Sequence, residues 1–291
     1  MAAAYGGRAF DGAAHPPGPG SACADRQLGG GGRLDQGAAG AGQGGGVSGR
    51  AEFLTRCDYA HRGLHGGGEG LIENSLPAFA AALDAGLGME CDVRLSADGI
   101  VYVFHDETLD RLTSETGAFG RCSAQKLDAI PLHGNGGPIP TLRALLEMVG
   151  GRQPLLIEIK IDGVEPVSPL CAAVEADLRG YTGPVAIMSF DPRVGRWFAA
   201  HAPQVVRGLV VTEEGGKGWW GHLKRALAMR HAKPDFLAYD IRDLPSPFAT
   251  RARLRGVPVL SWTVRRPENW KTVRQHADGA IFEGEAQPRH G

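Results

Sequence analysis

Two pairs of polar side chains interrupt apolar segments of the sequence, each pair at a spacing of two residues. Glu90 and Asp92 lie in the segment MECDVRL, which otherwise has the apolar character of a buried strand. Glu158 and Lys160 lie in the second segment, PLLIEIK. A buried carboxylate is costly unless a cation or hydrogen-bond donors neutralise it. Because side chains alternate across a strand, each pair points to one side of its strand and the apolar neighbours point to the other.

Three carboxylates that meet at one buried point repel one another, and two arrangements would relieve the repulsion. A divalent cation such as Mg²⁺ or Ca²⁺ binds oxygen ligands of this kind. Alternatively, Arg or Lys side chains pair with Glu90, Asp92 and Glu158 inside the protein. The periodicity alone leaves both arrangements open. The same alternation turns Cys91 away from the carboxylates, which predicts that Cys91 is a core residue.

Two histidines also follow or end apolar segments, His61 in YAHRG and His105 in IVYVFHD. The unperturbed imidazole pKa of about 6.5 allows one histidine to accept a proton while the other donates one near neutral pH. A second possibility is that the histidines bind a transition metal, with His65 or Asp106 completing the ligand set. The sequence therefore predicts either an acid–base pair or a metal site.

Arg62 and Lys160 are cations beside an otherwise acidic group of residues. They are suited to an anionic substrate such as a phosphate, which the fork of an arginine can bind through two hydrogen bonds. They are equally suited to pairing with the carboxylates, and the two roles are compatible.

The elements that must position these residues alternate between strands and helices. Nine short apolar segments recur between residues 59 and 283, and several are continuously apolar, as in strands covered on both faces. The second and third are joined only by SADG (96–99), which predicts a hairpin. Eight strands then remain, which predicts a (β/α)8 TIM-type barrel with a hairpin extension after strand 2, with the site at the carboxyl ends of the strands. A doubly wound sheet is the alternative, but no GxGxxG motif opens a first helix.

Capping signals predict where the intervening helices begin and end. Ser75 and Thr141 are candidate N-caps, and glycines follow the apolar stretches after them. The helices are predicted over 75–86, 141–151, 167–180, 191–202, 218–231 and 246–255.

The composition of the 291-residue chain restricts the class of protein. Its net charge of −1 gives no electrostatic argument for binding nucleic acid or an anionic membrane. Five cysteines without a CxxC pair favour a reducing compartment over a disulfide framework. No apolar run reaches the roughly 18 residues of a membrane helix, and no signal peptide is recognisable. We therefore expect a cytoplasmic protein without a membrane span.

The first 50 residues differ from the rest, because Gly and Ala occupy 27 of these positions. Such a segment buries too little apolar surface to offset its ordering entropy. The sequence predicts a disordered Gly/Ala-rich tail over residues 1–50 and one barrel domain over 51–291.

Five motifs occur in order along the chain: AHRG (60–63), ENSLPAF (73–79), ECDVRLSADG (90–99), VFHDETLDRLT (103–113) and LLIEIK (155–160). Together they closely resemble the glycerophosphodiester phosphodiesterase family, over roughly residues 56–285. The last strand departs from the family pattern, because it ends in FEGE (282–285) where members often carry TD-x-P.

The resemblance implies a fold, a reaction and a role for each motif residue. The family has a (β/α)8 barrel and hydrolyses glycerophosphodiesters to glycerol 3-phosphate and an alcohol, using one divalent cation, Mg²⁺ or Ca²⁺. Matched by motif, the implied acid–base pair is His61 and His105. The implied metal ligands are Glu90, Asp92 and Glu158, and the implied phosphate or substrate contacts are Arg62, Lys160 and Trp262.

Two other functions are alternatives to glycerophosphodiester hydrolysis. Enzymes of the lysophospholipase D and sphingomyelinase D types share this barrel and similar motifs, and they need an apolar approach for acyl chains. A non-catalytic phosphate- or lipid-binding module would instead require a broken site, whereas every motif position here is intact. The aromatic residues that could line an apolar approach, unless they serve only in packing, are Trp197, Phe198, Trp219 and Trp220.

Overall fold

The computed structural model describes residues 49–66 and 70–284. The tail predicted to be disordered covers residues 1–50, and residues 1–48 of it lie outside the described part of the chain. At its start, Arg50 donates hydrogen bonds to the Pro203 carbonyl and to Asp235, both at 2.5 Å. Among the described residues no helix combines the length and the apolar character that crossing a bilayer requires.

Nine strands form one sheet that closes on itself. The strands are β1 (Tyr59–Ala60), β2 (Gly88–Leu95), β3 (Val101–Val103), β4 (Leu155–Ile159), β5 (Val185–Ser189), β6 (Val206–Val211), β7 (Phe236–Asp240), β8 (Val259–Val264) and β9 (Gly279–Phe282). Eight of them are parallel, and β1 closes the ring by pairing with both β2 and β9. The predicted (β/α)8 barrel is therefore confirmed.

The predicted hairpin extension also forms, because β3 runs antiparallel to the end of β2. The turn between them contains Gly99 in the left-handed region, with φ of 89°. The Ser96 hydroxyl accepts a hydrogen bond from the Ile100 amide at 2.9 Å and donates one to Asp98 at 2.7 Å. This turn brings the chain that leads to His105 back beside β2.

Helices cover the outside of the barrel, except for one short helix in the excursion that follows β3. The helices are α1 (Leu76–Asp84), α2 (Ala124–Asp128), α3 (Leu142–Val149), α4 (Ser168–Leu178), α5 (Pro192–His201), α6 (Trp219–Ala232), α7 (Pro247–Leu254) and α8 (Asn269–His276). Ser75 caps α1 by accepting from the Ala78 amide, and Thr141 caps α3 by accepting from the Ala144 amide. The six predicted helices match α1 and α3–α7 to within about two residues, whereas α2 and α8 were not predicted.

The core has three parts, and two of them follow from the alternation of side chains along the strands. Outward-facing strand residues pack against the helices, and they include Cys91, as predicted. Inward-facing residues such as Leu156 and Phe236 fill the barrel, whose amino-terminal end is closed by the 3₁₀ helix Gly49–Thr55. A smaller core around Phe104 and Phe119 belongs to the excursion between β3 and α3.

We expect the tight packing inside the barrel to make Gly208→Ala destabilising by about 1–3 kcal/mol, the usual cost of overpacking. A Cβ at this position would lie within 2.7 Å of three ring carbons of Phe236, whose side chain is fully buried. The measurement is the free energy of unfolding in denaturant. Gly120→Ala is the control, because its nearest neighbour would be 3.8 Å away, and an equal loss in both variants would contradict the packing argument.

Candidate active site

Three buried carboxylates meet at the carboxyl ends of β2 and β4. Glu90 and Asp92 point into the barrel from β2, and Glu158 points inward from the position of β4 paired with Asp92. Each offers a carboxylate oxygen, and these oxygens all lie within 4.8 Å of one another. The spacing in the sequence thus brings the three predicted residues together.

Two cations lie against this cluster. Lys160 Nζ is 2.5 Å from Glu158 Oε1 and 2.9 Å from Asp92 Oδ1, and Arg62 Nε is 3.0 Å from Asp92 Oδ2. Asp92 and Glu158 are therefore paired with basic side chains, which is one of the two arrangements that would relieve the repulsion. Two positive charges face three carboxylates.

Glu90 differs from its two neighbours, because it pairs with neither cation through a side-chain contact. Its Oε2 accepts a hydrogen bond from the Arg62 amide at 3.0 Å. Its Oε1 is buried and has no hydrogen-bond partner among the described residues. Burial raises the pKa of Glu90 well above its usual range, and the charges of Asp92 and Glu158 raise it further. An additional cation at Oε1 would remove this penalty, and a site built only of carboxylate oxygens is suited to a hard divalent ion.

In contrast to Glu90, Asp92 and its partner Lys160 have pKa values shifted towards their charged forms. Burial disfavours the charged form of Asp92, but Lys160 and Arg62 outweigh burial and lower the pKa of this carboxyl. Burial likewise disfavours the charged form of Lys160, yet Asp92 and Glu158 raise the pKa of its amine above the usual value. Asp92 and Lys160 are therefore held in their charged forms.

The segment ENS (73–75) supports the cluster from the loop before α1. Asn74 Nδ2 donates to Asp92 Oδ2 at 2.9 Å, and Asn74 adopts the left-handed region with φ of 56°. Glu73 accepts a hydrogen bond from Arg62 at 2.7 Å and two from Arg111, at 2.7 and 2.9 Å. The motif was recognised in the sequence, but these contacts were not predicted.

His61 follows β1 and is buried beside the carboxylates. Its Nδ1 lies 2.8 Å from Glu283 Oε2, and its Nε2 lies 3.9 Å from Glu90 Oε2. Burial lowers the pKa of His61, although the hydrogen bond to Glu283 acts in the opposite direction. Burial also disfavours charge on Glu283, but its hydrogen bonds with His61, His65 and Arg265 lower the pKa of this carboxyl.

His105 follows β3 and is held in a similar way by a carboxylate. Its Nδ1 lies 2.6 Å from Asp106 Oδ1, and Arg111 binds both oxygens of Asp106, at 2.6 and 3.0 Å. Burial opposes the ionisation of Asp106, but Arg111 and His105 lower the pKa of its carboxyl to about 2. The His105 carbonyl accepts a hydrogen bond from Arg94 at 2.8 Å. Both predicted histidines thus have Nδ1 against a carboxylate, which leaves Nε2 for other partners.

Only some of the residues predicted as possible transition-metal ligands lie close together in the structure. His61, His65 and Glu283 offer ligand atoms within 4.8 Å of one another, and His105 does not belong to this group. The structure therefore does not bring the two predicted histidines to one common ligand set.

The aromatic residues singled out in the sequence have different positions. Trp262 lies on β8, donates from Nε1 to the Ala238 carbonyl at 2.9 Å, and meets Phe190 edge to face at 5.4 Å. Phe198 is fully buried among the outer core residues. Trp197 stacks on His201 with ring centroids 4.4 Å apart. Trp197 and Phe198 are packing residues and line no approach to the site.

Glu283 is a site residue that was not predicted, although its position follows from closure of the barrel. In a closed barrel β9 pairs with β1, with Ala60 opposite Phe282. The residue after β9 must therefore lie beside the residue after β1, which is His61. Glu283 lies in the FEGE segment, where the sequence departs from the family pattern.

Comparison with known proteins agrees with this geometry. The model of the glycerophosphoryl diester phosphodiesterase family matches residues 61–283. The chain belongs to this family. The predicted enzyme class, a phosphoric diester hydrolase, is therefore confirmed.

Two relatives match over most of their length. A glycerophosphodiester phosphodiesterase of Caldanaerobacter subterraneus is 30% identical over 236 residues, covering 76% of this chain and 91% of the relative. A probable glycerophosphodiester phosphodiesterase 2 of Mycobacterium tuberculosis is 30% identical over 252 residues, covering 79% and 89%.

Solved structures of family members share the barrel. A phosphodiesterase of Oleispira antarctica, in complex with the product sn-glycerol-3-phosphate, has a TM-score of 0.65 and 25% identity, covering 77% of this chain and 91% of its own. A glycerophosphodiester phosphodiesterase of Thermotoga maritima has a TM-score of 0.62 and 27% identity, covering 77% and 92%.

Proposed function

We propose that this family member hydrolyses glycerophosphodiesters to glycerol 3-phosphate and an alcohol with the help of one divalent cation. The observation that carries the proposal is the buried Glu90–Asp92–Glu158 cluster, with Glu90 Oε1 lacking a hydrogen-bond partner among the described residues. The product named for the Oleispira antarctica structure supports the choice of substrate.

Glu90, Asp92 and Glu158 would hold the cation. When bound, a divalent cation supplies charge neutralisation and polarisation at phosphoryl oxygens. The all-oxygen donor set suits Mg²⁺ and Ca²⁺, the two ions that we propose, and does not suit softer metals.

His61 and His105 form the proposed acid–base pair. One removes a proton from the nucleophile and the other protonates the leaving alkoxide, each through Nε2, because Nδ1 faces a carboxylate. The nucleophile is either water or the free glycerol hydroxyl of the substrate. The second route forms a cyclic phosphate before glycerol 3-phosphate, so its appearance distinguishes the two.

Arg62 and Lys160 are the proposed phosphate contacts, and Trp262 is the proposed substrate contact. Both cations contact Asp92, one of the three carboxylates that would hold the cation, and this position supports a role in binding the phosphate. An Arg fork and a Lys amine both bind phosphate through charge-assisted hydrogen bonds.

Glu283→Gln is expected to lower kcat about tenfold, because Glu283 orients His61 rather than reacting itself. The carboxylate raises the pKa of His61, so its removal lowers this pKa further. The limb of the pH–rate profile that reports His61 should therefore move to lower pH, whether His61 is the acid or the base. An unchanged profile would contradict the assignment, and Glu214→Gln, on an exposed loop, is the control.

The substrate is tested by measuring glycerol 3-phosphate release from glycerophosphocholine and from glycerophosphoethanolamine. We expect release from at least one of them and none from lysophosphatidylcholine. Choline release from lysophosphatidylcholine with no reaction on either glycerophosphodiester would instead identify a lysophospholipase D. From this reaction we also propose a role in lipid or glycerol metabolism. The cytoplasmic location stays a prediction.

A further inference from the structure

Helix α6 presents large apolar side chains to solvent. Eight large hydrophobic residues are exposed in the described part of the chain, and four of them lie on this helix. Their exposed fractions range from 41% to 64%, which is high for residues of this size. The four, which we call the α6 patch, are Trp219, Trp220, Leu223 and Leu227.

The α6 patch is one continuous surface. Trp219, Leu223 and Leu227 follow one another at intervals of four residues, which places them on one side of a helix. Trp220 lies against Trp219, with ring centroids 3.7 Å apart. The opposite side of the helix is the buried one, where Gly221 and Arg225 face the barrel.

Cations flank the α6 patch on both sides. A groove of about 880 Å³ between α5 and α6 is lined by Leu227 together with Arg196, Lys224 and Arg230. The groove between α6 and α7 is lined by Leu223 together with Arg251 and Arg255. All five cations are exposed, and none forms an ion pair with another described residue.

The three neighbouring helices carry no negative side chain. The sequences of α5, α6 and α7 contain no Asp or Glu. The net charge of −1 for the whole chain therefore conceals a basic face, so the argument from net charge against an anionic membrane does not apply to this surface.

The α6 patch lies towards the end of the barrel that carries the site. Helix α6 follows β6 and runs back along the barrel, so its first residues, Trp219 and Trp220, lie near the carboxyl ends of the strands. In the ring, β6 is separated from β1, β2 and β4 by other strands. The tryptophans thus stand on the rim across from the candidate active site.

We propose that the α6 patch and its flanking cations bind the surface of an anionic phospholipid bilayer. Tryptophan is favoured at the level of lipid headgroups, and leucines at this depth bury apolar surface in the acyl boundary. The cations on either side meet the negative headgroups, which attract basic residues within a Debye length. The proposal is independent of the proposed reaction.

A bilayer fits this surface better than a second copy of the chain does. A symmetric interface would place the α6 patch of one copy against that of the other. Arg196, Lys224 and Arg230 would then face the same cations of the partner, which is repulsive. An anionic surface instead satisfies the apolar residues and the cations together.

The test is flotation of the full chain with vesicles of phosphatidylcholine containing about 30% phosphatidylglycerol, and with vesicles of phosphatidylcholine alone. The ionic strength is kept at about 0.05 M to limit screening. We expect the protein to float with the anionic vesicles and to remain in solution with the neutral ones. Failure to float with anionic vesicles overturns the proposal.

Substitutions then locate the binding surface. Lys224→Glu/Arg230→Glu is expected to lower the partition coefficient at least roughly 30-fold, since two basic residues are lost. Trp219→Ser/Trp220→Ser is expected to lower it at least roughly tenfold. The control, Arg121→Glu/Lys126→Glu, reverses two exposed cations near α2 and is expected to change binding less than about twofold.

Three further outcomes would overturn the proposal. The first is unchanged binding in both α6 variants, and the second is an equal loss in the Arg121/Lys126 control. The third is a dimer, detected by light scattering, that both α6 variants dissociate, because a second copy would then cover the patch. Thermal unfolding verifies that each variant is folded, and Leu223→Ser/Leu227→Ser repeats the test if the tryptophan variant is not.

Discussion

Glu90→Gln is expected to abolish binding of the divalent cation and to lower turnover at least about 10³-fold. Glu90 Oε1 is buried without a hydrogen-bond partner among the described residues, so the cation is the partner we propose for it. Glutamine keeps the shape and can still accept from the Arg62 amide, but it removes one of three negative ligands. The loss corresponds to the several kcal/mol of charge stabilisation that a catalytic metal supplies.

The measurement pairs isothermal titration calorimetry of Mg²⁺ and Ca²⁺ with turnover of a glycerophosphodiester. Glu73→Gln is the matched control, because Glu73 lies beside the cluster and binds Arg62 and Arg111 without belonging to the three carboxylates. The control should retain metal binding. Wild-type metal affinity in Glu90→Gln would contradict the proposed site.

His61→Ala and His105→Ala are each expected to lower turnover at least about 10²-fold, the usual contribution of general acid or base catalysis. Metal binding should persist in both, because neither histidine belongs to the carboxylate cluster. This separates the effect of the histidines from that of Glu90. The measurements are kcat and the metal dissociation constant of each variant.

His133→Ala is the control for the histidine variants, because His133 is exposed and outside the site. It should have wild-type turnover. Near-normal rates in either the His61 or the His105 variant would reject the acid–base assignment. Loss of metal binding together with activity would instead indicate that the histidine supports the cluster.

The sequence predicts those parts of the site that lie on strands. Alternation along β2 and β4 places Glu90, Asp92 and Glu158 on the inner side of the barrel, where they are found. The SADG turn predicts the hairpin that carries His105 back. These predictions hold because strand periodicity and turn chemistry are local properties of the chain.

Contacts made by loops follow from no periodicity and were not predicted. Arg111 joins Glu73 to Asp106 and thereby links the loops before α1 and after β3. Glu283 was missed for a different reason, because its position beside His61 depends on closure of the whole barrel. Closure could have been used, since a predicted barrel already implies that the last strand pairs with the first.

The net charge of the whole chain did not predict the basic surface formed by α5, α6 and α7. Acidic and basic residues nearly balance over the chain, yet α5, α6 and α7 carry only basic ones. Segregation of this kind becomes visible only when consecutive helices are placed side by side in the barrel. The charge of each predicted helix, counted separately, shows this segregation, whereas the net charge of the whole chain does not.

A chelation experiment tests whether the phosphodiesterase depends on a cation at Glu90, Asp92 and Glu158. The full chain is treated with a chelator, and glycerol 3-phosphate release from a glycerophosphodiester is followed as Mg²⁺ or Ca²⁺ is added back. We expect release to stop with the chelator and to return with at least one of the two ions. Full release by the metal-stripped protein would contradict the proposed dependence on a cation.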